Sequence, residues 1–393
     1  MRRLADLDVA GKRVFVRVDF NVPLMDGQVT DVTRIQASLP TLRWLLERGA
    51  RVIVASHLGR PKGRRQPGLS LRPVADRLTT LLDYPVVLAP DCVGPAVEQL
   101  AKNLEAGTVL LLENLRFHPE EEANDPSFAR ELASLADVYV NDAFGAAHRA
   151  HASTAGMVTH FAEYAAGLLL AREVDVLSQL LESPERPFLA ILGGAKVSDK
   201  IGVIDRLLAR VQSVCIGGAM AYTFLKAQGH PVGRSRVEED KIDLARETLA
   251  KAERAGVAVH LPVDHVVAER VQPDARTSVV ATERFPPDVL GVDIGPETAR
   301  RYADEIAKAK TILWNGPMGI FEIPAFATGT RAVADALAQA GATSVVGGGD
   351  SVAALAQAGK LDAVTHVSTG GGASLEFLEG RALPGLRALE AST

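Results

Sequence analysis

Residues 13–21, RVFVRVDFN, form a short run of valine and phenylalanine that stops at a polar turn, and residues 187–200, PFLAILGGAKVSDK, form another that stops at paired glycines. A brief β-branched or aromatic run of this kind, followed by a turn and then helical spacing, marks a βα unit on a parallel sheet. Outward from these two, the unit recurs. In the first half the runs are Arg13 to Val18, Arg51 to Ser56, Pro85 to Ala89, Thr108 to Glu113 and Asp137 to Asn141. In the second they are Pro187 to Leu192, Ser213 to Ile216, Val257 to Leu261, Thr311 to Trp314, Thr343 to Val346 and Thr365 to Val367. Their near-continuous apolar character fits strands covered by helices on both faces. The expected fold is therefore α/β, a three-layer α/β/α architecture built twice.

Between the two sets, residues 160–182 place Phe161, Tyr164, Ala165, Leu168, Leu169, Val174, Leu177 and Leu181 at helical spacing until Ser183 and Pro184 end it. This reads as a long interdomain helix, or as a helix packed on one domain. Residues 266–280, broken by Gln272, Pro273 and Asp274, read as a strand pair joined by a turn.

Of the 393 residues, 47% are hydrophobic and 23% charged, which is ordinary globular material long enough for roughly two or three domains. With 43 basic and 48 acidic residues the net charge is −5, and no positive excess suits a phosphate backbone, so nucleic acid is not an expected partner. The longest nearly unbroken apolar stretch, Tyr164 to Ala171, falls well short of the ~18 residues a membrane span needs. Asp6 and Asp8 occupy the place where an export signal would need apolar residues, so a cytoplasmic location is expected. Cys92 and Cys215 lie far apart in apolar contexts and read as small core residues rather than a redox pair or a zinc site.

The two halves carry different chemistry. Every Gly-Gly pair lies in the second half, at Gly193-Gly194, Gly217-Gly218, Gly347-Gly348-Gly349 and Gly370-Gly371-Gly372, and each follows an expected strand. Consecutive glycines at that edge let backbone approach a ligand and present N–H groups, with the next helix adding its positive end. One pair alone is compatible with plain turn geometry; four along one edge point to a nucleotide or another phosphate ester. Neither GxxxxGK[ST] nor GxGxxG occurs, which disfavours P-loop enzymes and ordinary dinucleotide-binding dehydrogenases. Lys196 and Lys200, four apart at a helix start, are either the cations for such phosphates or a solvated pair.

In the first half the loops after strands hold cations and histidines instead, and Arg34, Arg60, Arg116 and Arg149 gathered at one edge would make a pocket for a small multiply charged anion. Taken singly, each reads first as a surface ion pair. His148 and His151 lack an HExxH frame or an acidic third ligand, which favours a structural or anion-binding role. A basic pocket on one half and a Gly-rich edge on the other suggest phosphoryl transfer between two separately held substrates, with closure joining them and excluding water.

Longer blocks carry a resemblance. RVDFNVPL (17–24), TRIQASLPTL (33–42), SHLGRPKG (56–63), ENLRFHPEE (113–121), NDAFGAAHRAHAST (141–154), LGGAKVSDKI (192–201), GGAMAYTFLK (217–226), WNGPMGIFE (314–322), GGGDSVAAL (347–355) and STGGGASLEFL (368–378) closely resemble the phosphoglycerate kinase family over essentially the full length. The resemblance implies two Rossmann-like domains with parallel sheets: residues 1–160 binding phosphoglycerate, residues 161–182 as the interdomain helix, and residues 183–372 binding the nucleotide. The tail, residues 373–393, would pack back on the first domain.

It further implies reversible transfer of the acyl phosphate of 1,3-bisphosphoglycerate to Mg-ADP, giving 3-phosphoglycerate and Mg-ATP, by a monomer. It assigns Asp19, Asn21, Arg34, His57, Leu58, Gly59, Arg60, Arg116 and Arg149 to the phosphoglycerate. To the nucleotide it assigns Gly194, Ala195, Lys196, Lys200, Gly218, Gly291, Asn315, Pro317, Glu322, Gly347, Gly348, Gly349, Asp350 and Ser351. Glu322 would meet the ribose, and Asp350 the nucleotide-bound Mg2+, a role compatible with capping the helix that begins near Ser351. Arg34, Lys200 and the helix start at Gly371 and Gly372 would meet the charge on the moving phosphoryl group. Ala219 stands where many relatives place a glycine and would narrow the adenine pocket. The competing readings are a different two-domain dehydrogenase or transferase, against which the missing GxGxxG counts, and a sugar-phosphate sensor that kept the fold without catalysis. Retention of Arg34, Lys200 and Asp350 together argues against the sensor.

Overall fold

The run that opens the chain's first sheet is a strand in the computed structural model, which describes residues 1–390. The chain divides into two compact units, the first Met1–Asp175 with the described residues from Ala382 onward, the second Val176–Arg381.

In the first unit, β1 (Arg13–Arg17), β2 (Arg51–Ala55), β3 (Val86–Leu88), β4 (Val109–Leu111), β5 (Val138–Asn141) and β6 (Tyr164–Ala166) form one parallel sheet in the order β3-β4-β2-β1-β5-β6. β1 shows why a continuous apolar run is needed. Successive side chains alternate between faces. Val14 and Val16 enter a core with Ile35, Leu39 and Leu42 of the helix Thr33–Leu46 and with Val74 and Leu78 of the helix Arg72–Leu82. Phe15 stacks on Tyr139, which meets Phe161.

In the second unit, β7 (Phe188–Leu192), β8 (Ser213–Ile216), β9 (Ala258–His260), β13 (Thr311–Asn315), β14 (Thr343–Gly347) and β15 (His366–Val367) form a parallel sheet in the order β9-β8-β7-β13-β14-β15. Leu189, Ile191, Ile312, Trp314 and Val346 build its principal core. Between β9 and β13 lies a small antiparallel sheet of β10 (Asp264–Ala268), β11 (Thr277–Ala281) and β12 (Leu290–Ile294), with β10 central. The eleven expected parallel strands are all present, and the strand pair expected in residues 266–280 is β10 and β11.

Three expectations are corrected. The helix is Leu168–Glu182 rather than residues 161–182, because Tyr164–Ala166 pairs with β5. The start of that helix is fixed by a carboxylate far away in sequence: Asp142 accepts from the N–H groups of Leu169 and Leu170, at 2.9 and 3.2 Å. Gly167 leaves room for it, since a Cβ there would lie 2.2 Å from Asp142 Oδ1. Next, the division falls between Asp175 and Val176, inside this helix, rather than at residue 160. Finally, the tail rejoins the first unit from Ala382, not residue 373, because the helix Gly372–Leu378 packs on the helix Ile201–Leu207 of the second unit. Beyond it, Gly385 donates to Ala147 O at 2.8 Å, and Leu386 and Leu389 are buried. Residues 391–393 of the expected tail lie outside the described residues.

Candidate functional site

Ligands of open α/β sheets bind at the carboxyl ends of the strands where strand order reverses. In the first unit the reversal lies between β1 and β5, so the loops beginning at Val18 and Asp142 meet there. Asp19 accepts from Arg34 Nη1 at 2.6 Å and, through its other oxygen, from the Asn21 N–H at 3.1 Å. Asn21 Oδ1 in turn receives the Gly59 N–H at 2.8 Å, and Arg116 Nη1 donates to Gly59 O at 2.9 Å. Asn114 fixes the same loop from behind, accepting from Leu58 N and donating to the carbonyls of Leu58 and Leu69. Backbone and side chain thus hold residues 57–59 against Asn21 and Arg116. Arg60, next along the loop, is exposed.

His57 is buried, and Arg17 Nη2 lies 3.2 Å from its Nδ1. A guanidinium can only donate, so Nδ1 carries the lone pair and Nε2 the hydrogen. Burial, and then the charges of Arg17, Arg116 and Arg34, hold the ring's pKa well below its ordinary value. His151 is pushed down to about 3 by burial and by Arg17, Arg116 and Arg149. Arg17 and Arg116 act on both rings, so the two histidines share one region. Arg149 belongs to it through His148, to which its Nε donates at 3.2 Å. The result is a cationic cradle in which both imidazoles stay neutral.

Arg17 and Glu121 were in the quoted blocks but not among the expected site residues. Arg17 is fully buried and donates to Ser153 Oγ at 2.8 Å, and Ser153 gives its N–H and hydroxyl to Glu121. A charged residue flanked by Val16 and Val18 was the available signal, because a buried guanidinium persists only where partners are built for it.

In the second unit the order reverses between β7 and β13. The glycines at this edge divide into two kinds. A Cβ on Gly193 would lie 2.2 Å from Pro317 O, and one on Gly218 2.5 Å from Gly194 N, so these two let neighbouring loops touch. Around Gly194, Gly349 and Gly371 nothing lies within 4 Å of such a Cβ, and these face open space. Gly347 and Gly348 back onto Asn315.

Two contiguous cavities follow. One, of about 350 Å³, is walled by Tyr222, Leu290, Gly291, Val292, Met318 and Ile320, and it also takes in Gly194, Ala195, Gly218, Ala219, Pro317, Glu322 and Asp350. The other shares Gly194, Ala195, Pro317 and Asp350 with it and adds Lys196, Lys200, Asn315, Gly371 and Gly372. Apolar walls therefore lead into a cationic end. Lys196 and Lys200 lie in the turn before Ile201–Leu207, Lys196 exposed and Lys200 buried, so they are not a solvated pair. Lys200 Nζ donates to Asn315 Oδ1, and burial brings its pKa down to about 8 against the opposing pull of Asp199, Asp350 and Glu379. Glu238 holds the turn, accepting from Val197 N at 2.5 Å and Ser198 Oγ at 2.7 Å.

Asp350 is exposed in the first turn of the helix Gly349–Gln357, whose N-cap is Gly348, so the expected capping role is not what it does. Ser351 instead accepts from Gly316 N at 2.6 Å and ties the β13 and β14 loops together. Gly291 sits in β12 at the apolar end. Among the described residues one mixed ligand cluster, Asp91, Cys92 and His118, has ligand atoms within 4.8 Å of one another. Asp91 is already bonded to His118 at 2.7 Å and faces Arg65 at 3.7 Å, and that guanidinium opposes a metal cation. No helix among the described residues is long and apolar enough to cross a membrane.

Comparison with known proteins gives one answer throughout. The family profile described as "Phosphoglycerate kinase" matches residues 4–381. A phosphoglycerate kinase of Anaeromyxobacter sp. (strain K) is 60% identical over 394 residues, covering 99% of both chains. One from Dictyoglomus turgidum is 58% identical over 388 residues, covering 98% of both. Among solved structures, a phosphoglycerate kinase from Coxiella burnetii superposes with a TM-score of 0.89 at 42% identity, over 99% of each chain. One from Pyrococcus horikoshii does so with 0.88 at 35%, over 99% of this chain and 98% of that one.

Proposed function

The chain belongs to the phosphoglycerate kinase family, phosphotransferases with a carboxyl group as acceptor, and from that premise we propose how its residues divide the reaction. The acid substrate, 3-phosphoglycerate or 1,3-bisphosphoglycerate, is held by Asp19, Asn21, Arg34, residues 57–60, Arg116 and Arg149 in the first unit. Mg-ADP or Mg-ATP is held by Gly194, Ala195, Lys196, Lys200, Gly218, Gly291, Asn315, Pro317, Glu322 and the loop Gly347 to Ser351 in the second. The observation that carries this reading is the polarity of the second unit's cleft. Its apolar walls suit a planar base, Glu322 suits ribose hydroxyls, and Lys196, Lys200 and the open glycines suit phosphates.

Phosphoryl transfer asks for alignment and charge stabilisation more than covalent work from the protein. In the direction of acyl phosphate formation, a carboxylate oxygen of 3-phosphoglycerate attacks the γ-phosphorus, the bond to the β,γ-bridging oxygen breaks, and Mg-ADP leaves, with no phosphoenzyme between. Arg34, oriented by Asp19, and Lys200, oriented by Asn315, meet the equatorial oxygens, with the N–H groups at Gly371 and Gly372. Neutral His57 can donate from Nε2 to the substrate without adding a charge that the guanidinium groups would oppose. Mg2+ arrives as part of the nucleotide substrate, and Asp350 is the carboxylate near it. The enzyme works as a cytosolic monomer, with neither nucleic acid nor membrane as a partner.

The test is 3-phosphoglycerate-dependent release of ADP from Mg-ATP. The native chain turns over; Arg34→Ala lowers kcat by about 10²-fold or more, as loss of a transition-state electrostatic stabiliser does. Arg149→Ala raises KM for 3-phosphoglycerate and leaves that for Mg-ATP nearly unchanged. An Arg34→Ala enzyme with native kcat and only a raised KM would remove Arg34 from the transferring group.

A further inference from the structure

The apolar end of the nucleotide cleft contains one hydroxyl whose hydrogen is already committed. Thr282 Oγ1 lies 2.8 Å from Pro262 O, and a carbonyl only accepts, so the threonine hydrogen is spent there. His265 Nε2, 2.9 Å from the same Oγ1, must therefore carry a hydrogen and donate it. His265 is buried and burial pushes its pKa down to about 4, so the ring is neutral and Nδ1 has a bare lone pair. Tyr222 Oη, 3.1 Å from Nδ1, is consequently the donor of that bond. The chain of bonds runs one way, from tyrosine to histidine to threonine to backbone.

What remains on Tyr222 Oη is acceptor capacity, and both Tyr222 and Gly291, against which this oxygen lies, line the cavity. A Cβ on Gly291 would be 1.6 Å from this oxygen, so the glycine is what makes room for it. Gly291's own N–H is taken by Ser235 Oγ at 2.9 Å, and no donor among the described residues reaches Tyr222 Oη. The surrounding walls, Leu290, Val292, Met318 and Ile320, offer no side-chain donor.

We propose that Tyr222 presents an acceptor-only hydroxyl to the nucleotide base and thereby selects adenine nucleotides over guanine nucleotides. The inference rests on the reading that places the base in this cavity. Adenine carries an amino donor at C6 where guanine carries a carbonyl acceptor. An acceptor facing the amino group gains a hydrogen bond; facing the carbonyl it meets a second acceptor, and both are left unsatisfied. Four other charged side chains border the cavity, and of these Glu322 and Asp350 are carboxylates that the proposed function gives to the ribose and to the nucleotide's Mg2+. Asp293 is engaged by the N–H groups of Ile294 and Gly329. Arg236 can only donate, and if it read the base instead, guanine would be favoured.

The experiment measures kcat and KM for Mg-ATP and Mg-GTP at saturating 3-phosphoglycerate. The native enzyme prefers Mg-ATP. Tyr222→Phe keeps the ring and lowers the ATP-to-GTP ratio of kcat/KM by about ten-fold, through a raised KM for Mg-ATP with kcat unchanged. Thr282→Val deprives Nε2 of its acceptor, moves the histidine hydrogen to Nδ1 and frees the tyrosine hydrogen to face the cavity, so the ratio falls further as Mg-GTP improves. Nitrogen NMR of the native protein, with His265 assigned from the His265→Gln spectrum, shows Nε2 protonated and Nδ1 bare; the opposite tautomer overturns the proposal whatever the kinetics. Equal effects of Tyr222→Phe on both nucleotides, or a native preference for Mg-GTP, overturn it too. Ala219→Trp separates the two levels, because it fills the cavity and should raise KM for both nucleotides. If it changes neither, the base lies elsewhere and the cleft assignment itself is wrong.

Discussion

On the proposed assignment Lys200 meets phosphate and has to be charged, yet it is only 9% exposed, and burial brings its pKa down to about 8. Its protonated form therefore predominates below about pH 8 and is lost above. For the free enzyme, kcat/KM for Mg-ATP should be level towards neutrality and fall about ten-fold per pH unit beyond that pKa. Lys200→Arg, whose guanidinium stays charged, should lower activity but abolish this limb. Stability should move the other way. The folded pKa lies below the unfolded one, so the unfolded chain binds more protons between about pH 8 and 10.5, and this residue's contribution to stability rises across that window. A native profile that stays level to pH 10 would mean Lys200 is not the charge the nucleotide needs. The charged residues of the motifs could be singled out because several arginines gather at one sheet edge, whereas any one of them alone would read as a surface ion pair. Arg17, Glu121 and the Tyr222–His265–Thr282 chain could not, because their meaning lies in partners brought together only by the fold.

The helices Leu168–Glu182, Pro296–Lys308 and Thr328–Gln339 share one device. Each begins against a carboxylate from a distant segment, respectively Asp142, Asp264 and Asp293, and each has a glycine where that carboxylate passes. Asp264 is the clearest case, accepting from Glu297 N at 3.0 Å and from Thr298 N at 2.8 Å, while a Cβ on Gly295 would lie 2.2 Å from its Cγ. Asp264→Ala strips two first-turn N–H groups of their partner, at a cost of about 1 to 2 kcal/mol. The urea midpoint should fall accordingly, and an unchanged midpoint would show that solvent replaces the cap without loss. The same device explains what sequence reading found among the elements. Parallel strands carry their own signal in continuous β-branched runs, and all eleven were legible. Residues 160–167 were read as helix because Phe161, Tyr164 and Ala165 continue the helical spacing of the leucines that follow, while the strand pairing and the distant cap that decide the boundary are invisible locally. β12 was missed because Gly291 and Asp293 interrupt its apolar pattern, one making room for Tyr222, the other capping a helix.

Across the whole molecule, two sheets of related order carry opposite equipment, guanidinium groups and neutral imidazoles at one reversal of strand order, lysines and open glycines at the other. The tail contributes to the first of these: Gly385 bonds to Ala147, two residues before Arg149. That the chain is two α/β units was legible from the number and spacing of strands; where it divides was not, because the boundary lies inside a continuous helix and the return point depends on packing. The central claim is that acid and nucleotide are held on different units, whereas the reacting oxygen and phosphorus must come within roughly 3 to 3.5 Å. On that claim transfer requires the two ligands to be brought together, and closure should follow only when both are bound. Small-angle X-ray scattering with 3-phosphoglycerate, with a Mg-nucleotide and with both tests this most directly. The account predicts a smaller radius of gyration with both ligands than with either alone, and a radius unchanged in every mixture of a protein that still turns over would contradict it.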